Sequence, residues 1–253
     1  MKTSIQPTLS SNFSRNKHER YEVYGNEPKT ILQQWDVDRN STATYFDANG
    51  VLQTAAVNQP RIDYSTGEGR LLVEGQSTNL LLWSEDFGNS YWGKSNATIQ
   101  NNVAVAPDGT LSGDGVYATT TNTPVVQRLG IITPGEKAFS IFAKSGSSSV
   151  LTLNRDGGYN PASVFDLNLG VVISGEGYAT IHPVGNGWYW CTHIDNADIT
   201  SSIYISFANT EIGDFAYIWG VQIEVGNKPT SYIKTEASQV TRLADIITPK
   251  GDA

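Results

Sequence analysis

Twelve tyrosines and six tryptophans are the side chains of this chain best placed to do chemistry. Their flat rings can stack on the apolar face of an uncharged ligand while nearby Asn, Asp and Gln bond its hydroxyls, which is the usual make-up of a small-molecule site. Four rings stand out. Tyr159 sits beside Asp156-Gly157-Gly158 and Asn160, in a turn, where an aromatic has least structural reason to be. Tyr189 and Trp190 lie in the run Trp188–Ile194. Strand alternation puts Trp188, Trp190, Thr192 and Ile194 on one face of it and Tyr189, Cys191 and His193 on the other. We assign Trp188 to the core and expect Tyr189 and His193 to face outward, with Trp190 at the sandwich rim. Tyr91 is the fourth candidate, with Tyr117 of the same type. For each ring, packing in the core is the competing role.

Other chemistries find little support. The three histidines, His18, His182 and His193, form no metal or triad spacing, and no GxSxG, HExxH or phosphate-binding glycine loop is present. Carboxylates are plentiful, but a glycosidase needs two facing each other across a cleft, and spacing alone selects no pair. No residue is nominated as catalytic, and the expectation is a non-enzyme. One cysteine, Cys191, can form neither an intrachain disulfide nor a thiolate cluster; it is expected to be a small apolar filler.

The 253 residues suffice for a large β domain with an added segment. Only 17% are charged and 10% are aromatic, which fits a folded chain with a Ser/Thr/Asn/Gly surface rather than a disordered one. The formal net charge of −8, without any Lys/Arg run, argues against a nucleic-acid partner and against an anionic membrane. No stretch approaches a membrane span. The first residues, MKTSIQPTLSSNF, lack the apolar segment of a signal peptide, so synthesis and folding in a cytoplasm are expected.

The elements that must position these rings are strands. Residues 1–40 are polar, with Arg15, Lys17 and Arg20 near His18, and read as an attachment arm. Residues 41–78 read as a β-hairpin region. Asn49-Gly50 between Thr42–Phe46 and Val51–Ala55 predicts a two-residue turn, both of whose residues tolerate positive φ. Residues 79–253 read as one larger body of short strands between turn clusters, rich in β-branched and aromatic residues. In its last long strand, the odd series Phe215, Tyr217, Trp219, Val221, Ile223 and Val225 is expected to be the core face, provided Gly220 introduces no bulge. The fold class is all-β: a jelly-roll β-sandwich preceded by an extended N-terminal arm and a small hairpin region.

Two phrases about 140 residues apart carry a resemblance. Asn79-Leu80-Leu81-Leu82-Trp83-Ser84-Glu85-Asp86-Phe87 with Trp92, then Ala106-Pro107-Asp108-Gly109-Thr110, form the first; Trp219-Gly220-Val221-Gln222-Ile223-Glu224-Val225-Gly226, Thr230-Ser231-Tyr232-Ile233 and Val240-Thr241-Arg242 form the second. With Gly187-Trp188-Tyr189 and Cys191, this set resembles the carbohydrate-binding-module-like jelly rolls of bacteriophage tail fibre, tailspike and head-decoration proteins, over roughly Tyr45–Asp245. One departure is Trp190, where the family commonly has Arg. The resemblance implies a structural protein on a virion surface: a tail fibre or receptor-binding subunit, with capsid decoration and a module of a carbohydrate-active system as alternatives. It implies a homotrimer, contact with other virion proteins through the arm, and host surface polysaccharide as ligand. It also implies a structural calcium, for which Glu85 and Asp86 stand at one carboxylate position; no other cofactor is expected.

Overall fold

A computed structural model describes residues 21–24, 27–30, 35–131, 135–155, 162–175, 177–195, 201–208 and 211–249. Among them there is no helix, and every strand pairing is antiparallel. In chain order the strands are β1 (Tyr21–Tyr24), β2 (Glu27–Thr30), β3 (Trp35–Asp38), β4 (Ala43–Phe46), β5 (Leu52–Ala55), β6 (Ile62–Asp63), β7 (Arg70–Leu71) and β8 (Ser77–Asn79). There follow β9 (Gly93–Ser95), β10 (Ala97–Val105), β11 (Leu111–Ala118), β12 (Val125–Ile131), β13 (Lys137–Ser145), β14 (Val150–Arg155) and β15 (Ser163–Asp166). The last are β16 (Val171–Ser174), β17 (Ala179–Gly185), β18 (Trp188–Asp195), β19 (Ser201–Phe207), β20 (Phe215–Val225), β21 (Val240–Arg242) and β22 (Ile246–Pro249).

The chain divides into two compact units, one of residues 1–75 with 243–253 and one of residues 76–242. The first is a set of two-stranded ribbons: β1–β2, β3–β22, β4–β5 and β6–β7. The sequence reading ran the sandwich to residue 253, whereas β22 pairs with β3, Ile246 opposite Asp38. In the β4–β5 hairpin Asn49 does not enter positive φ; Gly50 alone does, at 76°. The reason is Asp47. Its Oδ1 accepts the N–H of Asn49 at 2.8 Å and of Val51 at 3.0 Å, while Gly50 N–H bonds the Asp47 carbonyl at 3.0 Å. The acid thereby imposes a wider turn that ends on a left-handed glycine. At the centre of this unit, Asp245 accepts Arg39 at 2.8 Å and Arg61 at 2.6 Å, and Arg61 also reaches Glu74 at 2.9 Å. Both guanidinium side chains are fully buried.

The second unit is the sandwich. One sheet has the order β10-β11-β20-β13-β18-β17, the other β16-β15-β14-β19-β12-β9. Their facing sides form one core. Val116, Ile141, Cys191, Ile218 and Ile223 come from the first sheet; Val126, Leu151, Leu153, Phe165, Ile205 and Phe207 come from the second. Each such side chain contributes about 1.5–3 kcal/mol by leaving water, so this layer dominates the stability of the unit.

Gly220 does make a bulge. Ser140 stands opposite Gln222 and Phe142 opposite Trp219, so β20 has one extra residue there. Gly220 takes φ +60°, and a Cβ on it would come within 2.8 Å of the Phe142 ring. The bulge flips the phase of the strand. Before it, Ala216 and Ile218 face the core; after it, Val221 and Ile223 do. Phe215, Tyr217 and Trp219 are therefore turned to the outer face of the sheet, contrary to the expectation from strict alternation.

Candidate functional site

The same register argument reverses the expected faces of β18. Cys191 pairs with Ile141, and His193 pairs with Phe139. Tyr189, Cys191 and His193 point inward, and Trp188, Trp190 and Thr192 point out, although Trp188 is buried there as expected, at 1% exposure. His193 is buried, and its Nδ1 meets Ser163 Oγ of the opposite sheet at 2.7 Å. That hydrogen bond lets a polar ring serve the core. Cys191 is fully buried, which pushes its thiol well above the ordinary range.

The outer face of the first sheet has two zones. In the first, Trp219 packs on Phe142 at 5.5 Å between ring centres, Tyr232 covers both at 4.9 and 5.9 Å, and Trp190 stacks on Phe142 at 6.1 Å. The covering segment is held by the polar residues of the strand beneath it. Gln222 accepts the Ile233 N–H at 2.6 Å, Glu224 accepts the Thr230 N–H at 2.8 Å and hydroxyls from Ser77 and Thr230, and Asn79 donates to the carbonyls of Val221 and Ile233. The Tyr232 hydroxyl meets Ser84 Oγ at 2.7 Å and donates to Glu85 at 3.0 Å. The two phrases that carry the sequence resemblance are thus halves of one seam. This zone is sealed: Phe142, Trp219 and Tyr232 are all buried.

The second zone is open. Tyr117 and Phe215 stack at 5.0 Å and 19°, and Phe215 meets Tyr217 edge-on at 5.3 Å. All three are half-buried. Two glycines let the rings lie against the sheet. A Cβ on Gly115 would come within 2.6 Å of the Tyr117 ring, and one on Gly146 would collide with the Phe215 ring. Val103, 40% exposed, lies over Gly115 beside them. Lys144 pairs with Tyr217 on one side and Trp188 on the other. The Trp188 indole donates to the Val105 carbonyl at 2.8 Å, although β18 and β10 stand four places apart in the sheet. An indole cannot cross four spacings of about 4.8 Å, so the end of β10 folds over the outer face and covers Trp188, which is buried. Burial raises the Tyr217 hydroxyl above its ordinary pKa, and the neighbouring Tyr117 phenol adds to the effect.

The four aromatic candidates from sequence do not come together. Tyr159 lies outside the described residues. Tyr189 points into the sandwich, with Gly170 against its ring. Tyr91 stands edge-on to Trp92 at 5.2 Å, and the Arg128 guanidinium lies 4.2 Å above its ring, so protein occupies that ring. Trp190 lies on the outer face as a half-buried rim of the sealed zone. Sequence reasoning missed Phe215 and Tyr217 because it carried one phase through Gly220; a bulge glycine amid aromatic alternation was the available signal.

The calcium position is committed to protein donors. Glu85 accepts Lys234 at 2.6 Å as well as Tyr232, and Asp86 accepts the Asn89 N–H and Asn101 Nδ2, both at 3.1 Å. Burial nonetheless holds the Glu85 carboxyl above its ordinary value, against those hydrogen bonds. Lys94 already supplies a cation near Asp86 and bonds the carbonyls of Gly88 and Asn89 at 2.9 and 2.7 Å. Among the described residues no group of three or more His, Cys, Asp or Glu could hold a metal ion. Asp114 accepts the N–H groups of Phe87 and Asn102 at 2.9 Å each, and burial raises its carboxyl to about 6. It is a buried clamp between the Phe87 segment and β10, with its oxygens turned to backbone.

No family model matches the chain, and no curated protein matches it. Several solved structures are similar to it. The enzymatically active domain of bacteriophage CBA120 tailspike protein 4 is 14% identical with a TM-score of 0.39, over 57% of this chain and 21% of that one. The CBM22-1–GH10 modules of Clostridium thermocellum xylanase 10B, complexed with xylohexaose, are 15% identical with a TM-score of 0.39, over 63% and 30%. The C-terminal CBM6 of LamC from Zobellia galactanivorans is 12% identical with a TM-score of 0.33, over 59% of this chain and 98% of that module. The chain therefore spans less than a third of the first two. The fold itself stands on the strand pairings above: an all-β jelly-roll sandwich.

Proposed function

We propose that residues 76–242 form a glycan-recognition module whose binding surface is the open aromatic zone on the outer face of the first sheet. The observation that carries this reading is the platform of Tyr117, Phe215 and Tyr217, three half-buried rings laid against a sheet by Gly115 and Gly146. Rings held this way are ordered before a ligand arrives, so stacking costs little side-chain entropy. The phenol hydroxyls provide the polar edge. Binding rather than catalysis is favoured because Asp114, whose carboxyl burial raises to about 6, is itself buried and engaged by two backbone N–H groups.

The setting we propose is the surface of a bacteriophage particle, as a tail fibre or receptor-binding subunit, on the strength of the resemblance of the two phrases. In that setting residues 1–40 would attach the chain to other virion proteins, and the chain would assemble as a homotrimer. Affinity electrophoresis through host surface polysaccharide tests the module. Tyr217→Ala and Phe215→Ala should each lose roughly tenfold or more in retention, since an aromatic stacking partner is worth about 1–2 kcal/mol. Tyr91→Ala should keep the wild-type value. Wild-type retention by both platform variants would contradict the assignment. Equilibrium sedimentation tests the assembly: a mass of 27.5 kDa, that of one chain, would refute the trimer.

A further inference from the structure

We infer that the aromatic zone takes a pyranose that carries an acetamido group, with Val103 against the acetyl methyl and Gln100 bonding the amide. The inference rests on the glycan reading of the same surface. It starts from an irregularity in β10. Gln100 stands opposite Gly115 and Ala104 opposite Gly113, so Asn101, Asn102 and Val103 all fall opposite Asp114. Asn102 takes φ 58° there, and its N–H bonds Asp114 Oδ1 at 2.9 Å. Such a bulge re-aims a side chain, and the one it re-aims is Val103. A Cβ on Gly115 would find Val103 Cγ2 at 3.1 Å and the Tyr117 ring at 2.6 Å, so valine and ring converge over the same glycine on the outer face.

Gln100 completes the setting. Ile99 packs on the core, so Gln100 faces outward with the rings. Gln100 pairs with Gly115 from β10, and Tyr217 pairs with it from β20. The Tyr117 ring that covers Gly115 is therefore flanked by Gln100 on one side and Tyr217 on the other, each one strand away. Gln100 is exposed, and among the described residues none bonds its carboxamide. Val103 is 40% exposed. A lone exposed valine is ordinary on a surface, and β10 is a sheet edge, where a bulge can serve only to discourage pairing with another sheet. Neither role accounts for the arrangement. A bulge that protects an edge works as well with a polar residue, whereas this one lays branched methyls beside an aromatic ring and an unpartnered carboxamide. The ring suits a pyranose face, the methyls suit an acetyl methyl, and a carboxamide both donates and accepts, as the C=O and N–H of an amide require. A 6-deoxy sugar would use the valine but not the paired donor and acceptor. A plain hexose would use the carboxamide and leave the valine in water.

The test uses NMR titration and saturation transfer on the full chain, with sugar pairs that differ only in acetamido against hydroxyl. The pairs are N-acetylglucosamine, N-acetylgalactosamine and N-acetylmannosamine beside glucose, galactose and mannose, and chitopentaose beside cellopentaose; rhamnose and fucose are the 6-deoxy probes. The expected result is that at least one N-acetylated sugar binds roughly tenfold tighter than its hydroxyl partner, the size of one buried methyl with one hydrogen bond. Its acetyl methyl should receive the strongest saturation. Val103→Ser and Gln100→Ala, both at exposed positions, should each reduce that preference to roughly threefold or less and leave the hydroxyl partner unchanged, while Tyr217→Ala should weaken both. Three results overturn this inference and leave the glycan site standing: equal affinity within every pair, tighter binding of the 6-deoxy probes, or an acetamido preference that survives both substitutions. Binding of none of these sugars by a chain that still retains host polysaccharide does the same. A lower mass for Val103→Ser than for the wild type in equilibrium sedimentation would assign Val103 to a contact between copies and also overturns it. Binding of no probe and no host polysaccharide overturns the glycan site as well.

Discussion

At the scale of single residues, burial decides what each functional-looking group can do. Asp114 shows this most clearly. Desolvation raises its carboxyl from 3.8 to about 6, against the two backbone N–H groups that it accepts. An acid whose folded pKa exceeds its unfolded one binds its proton more tightly in the fold. Its contribution to stability is therefore greatest below pH about 4, falls as pH rises to about 6, and is flat beyond. Asp114→Asn should remove that slope, measured as the urea midpoint between pH 4 and pH 7. A slope that persists in the variant would show that another group causes it. Asp245 runs the other way. Burial would raise its carboxyl, but the Arg39 hydrogen bond, the Glu74 N–H and Arg61 together hold it below the ordinary value. Its contribution is present above the unfolded pKa and lost as pH falls through the folded one.

At the scale of elements, β20 organises both zones of the outer face, and Gly220 organises β20. Any side chain there is strained by the positive φ and pressed on Phe142, so Gly220→Ala should cost about 1–3 kcal/mol. It should also disturb Trp219 and Tyr232, which chemical denaturation followed by tryptophan fluorescence would detect. An unchanged midpoint would mean that the bulge is not required. The polar staple beneath the covering segment makes a second case. Gln222→Ala leaves the buried Ile233 N–H without an acceptor, a loss of about 1–3 kcal/mol, and should expose residues 229–236 to hydrogen exchange before the sandwich core. Most strands were legible in the sequence. The β-branched and aromatic runs between turn signals fall in strands, among them Phe139–Lys144 in β13, Val150–Asn154 in β14, Ile203–Phe207 in β19 and the whole of Phe215–Val225 in β20. Faces were less legible than strands. Alternation is a local rule, and one inserted residue at Gly220 puts Phe215, Tyr217 and Trp219 out of phase with Val221 and Ile223, so one phase cannot serve the whole strand. The two faces of β18 carry equally aromatic residues, so composition could not say which was inside. Only pairing with Ile141 and Phe139 decides it. Strands β10 and β11 went unrecognised because Asn, Asp, Gly and Ser are frequent in them. Tyr117 therefore looked like a loop residue, though it is part of a sheet.

At the scale of the whole molecule, the sandwich is an insertion into the first unit, which takes its last strand from residues after the sandwich. Within the sandwich, β8 and β21 bring the two ends of that insertion together, with Thr78 and Thr241 hydroxyls 2.7 Å apart. Within the first unit, Asp245 ties the final segment to Arg39 and Arg61. Asp245→Ala strands two buried guanidinium groups and should cost about 3–5 kcal/mol, read as increased hydrogen exchange in residues 35–75. Exchange equal to wild type would refute that role. The central claim concerns the open aromatic zone of the outer face, and an NMR titration of the full chain tests it most directly. The titrant is an oligosaccharide of the polymer that the chain retains, with the ring signals of Tyr117, Phe215 and Tyr217 assigned. The account predicts that these three rings shift together and saturate at one ligand concentration, while Tyr91 and Trp92 stay still. Saturable shifts confined to Tyr91 or Tyr159, with the three platform rings unmoved, would contradict it.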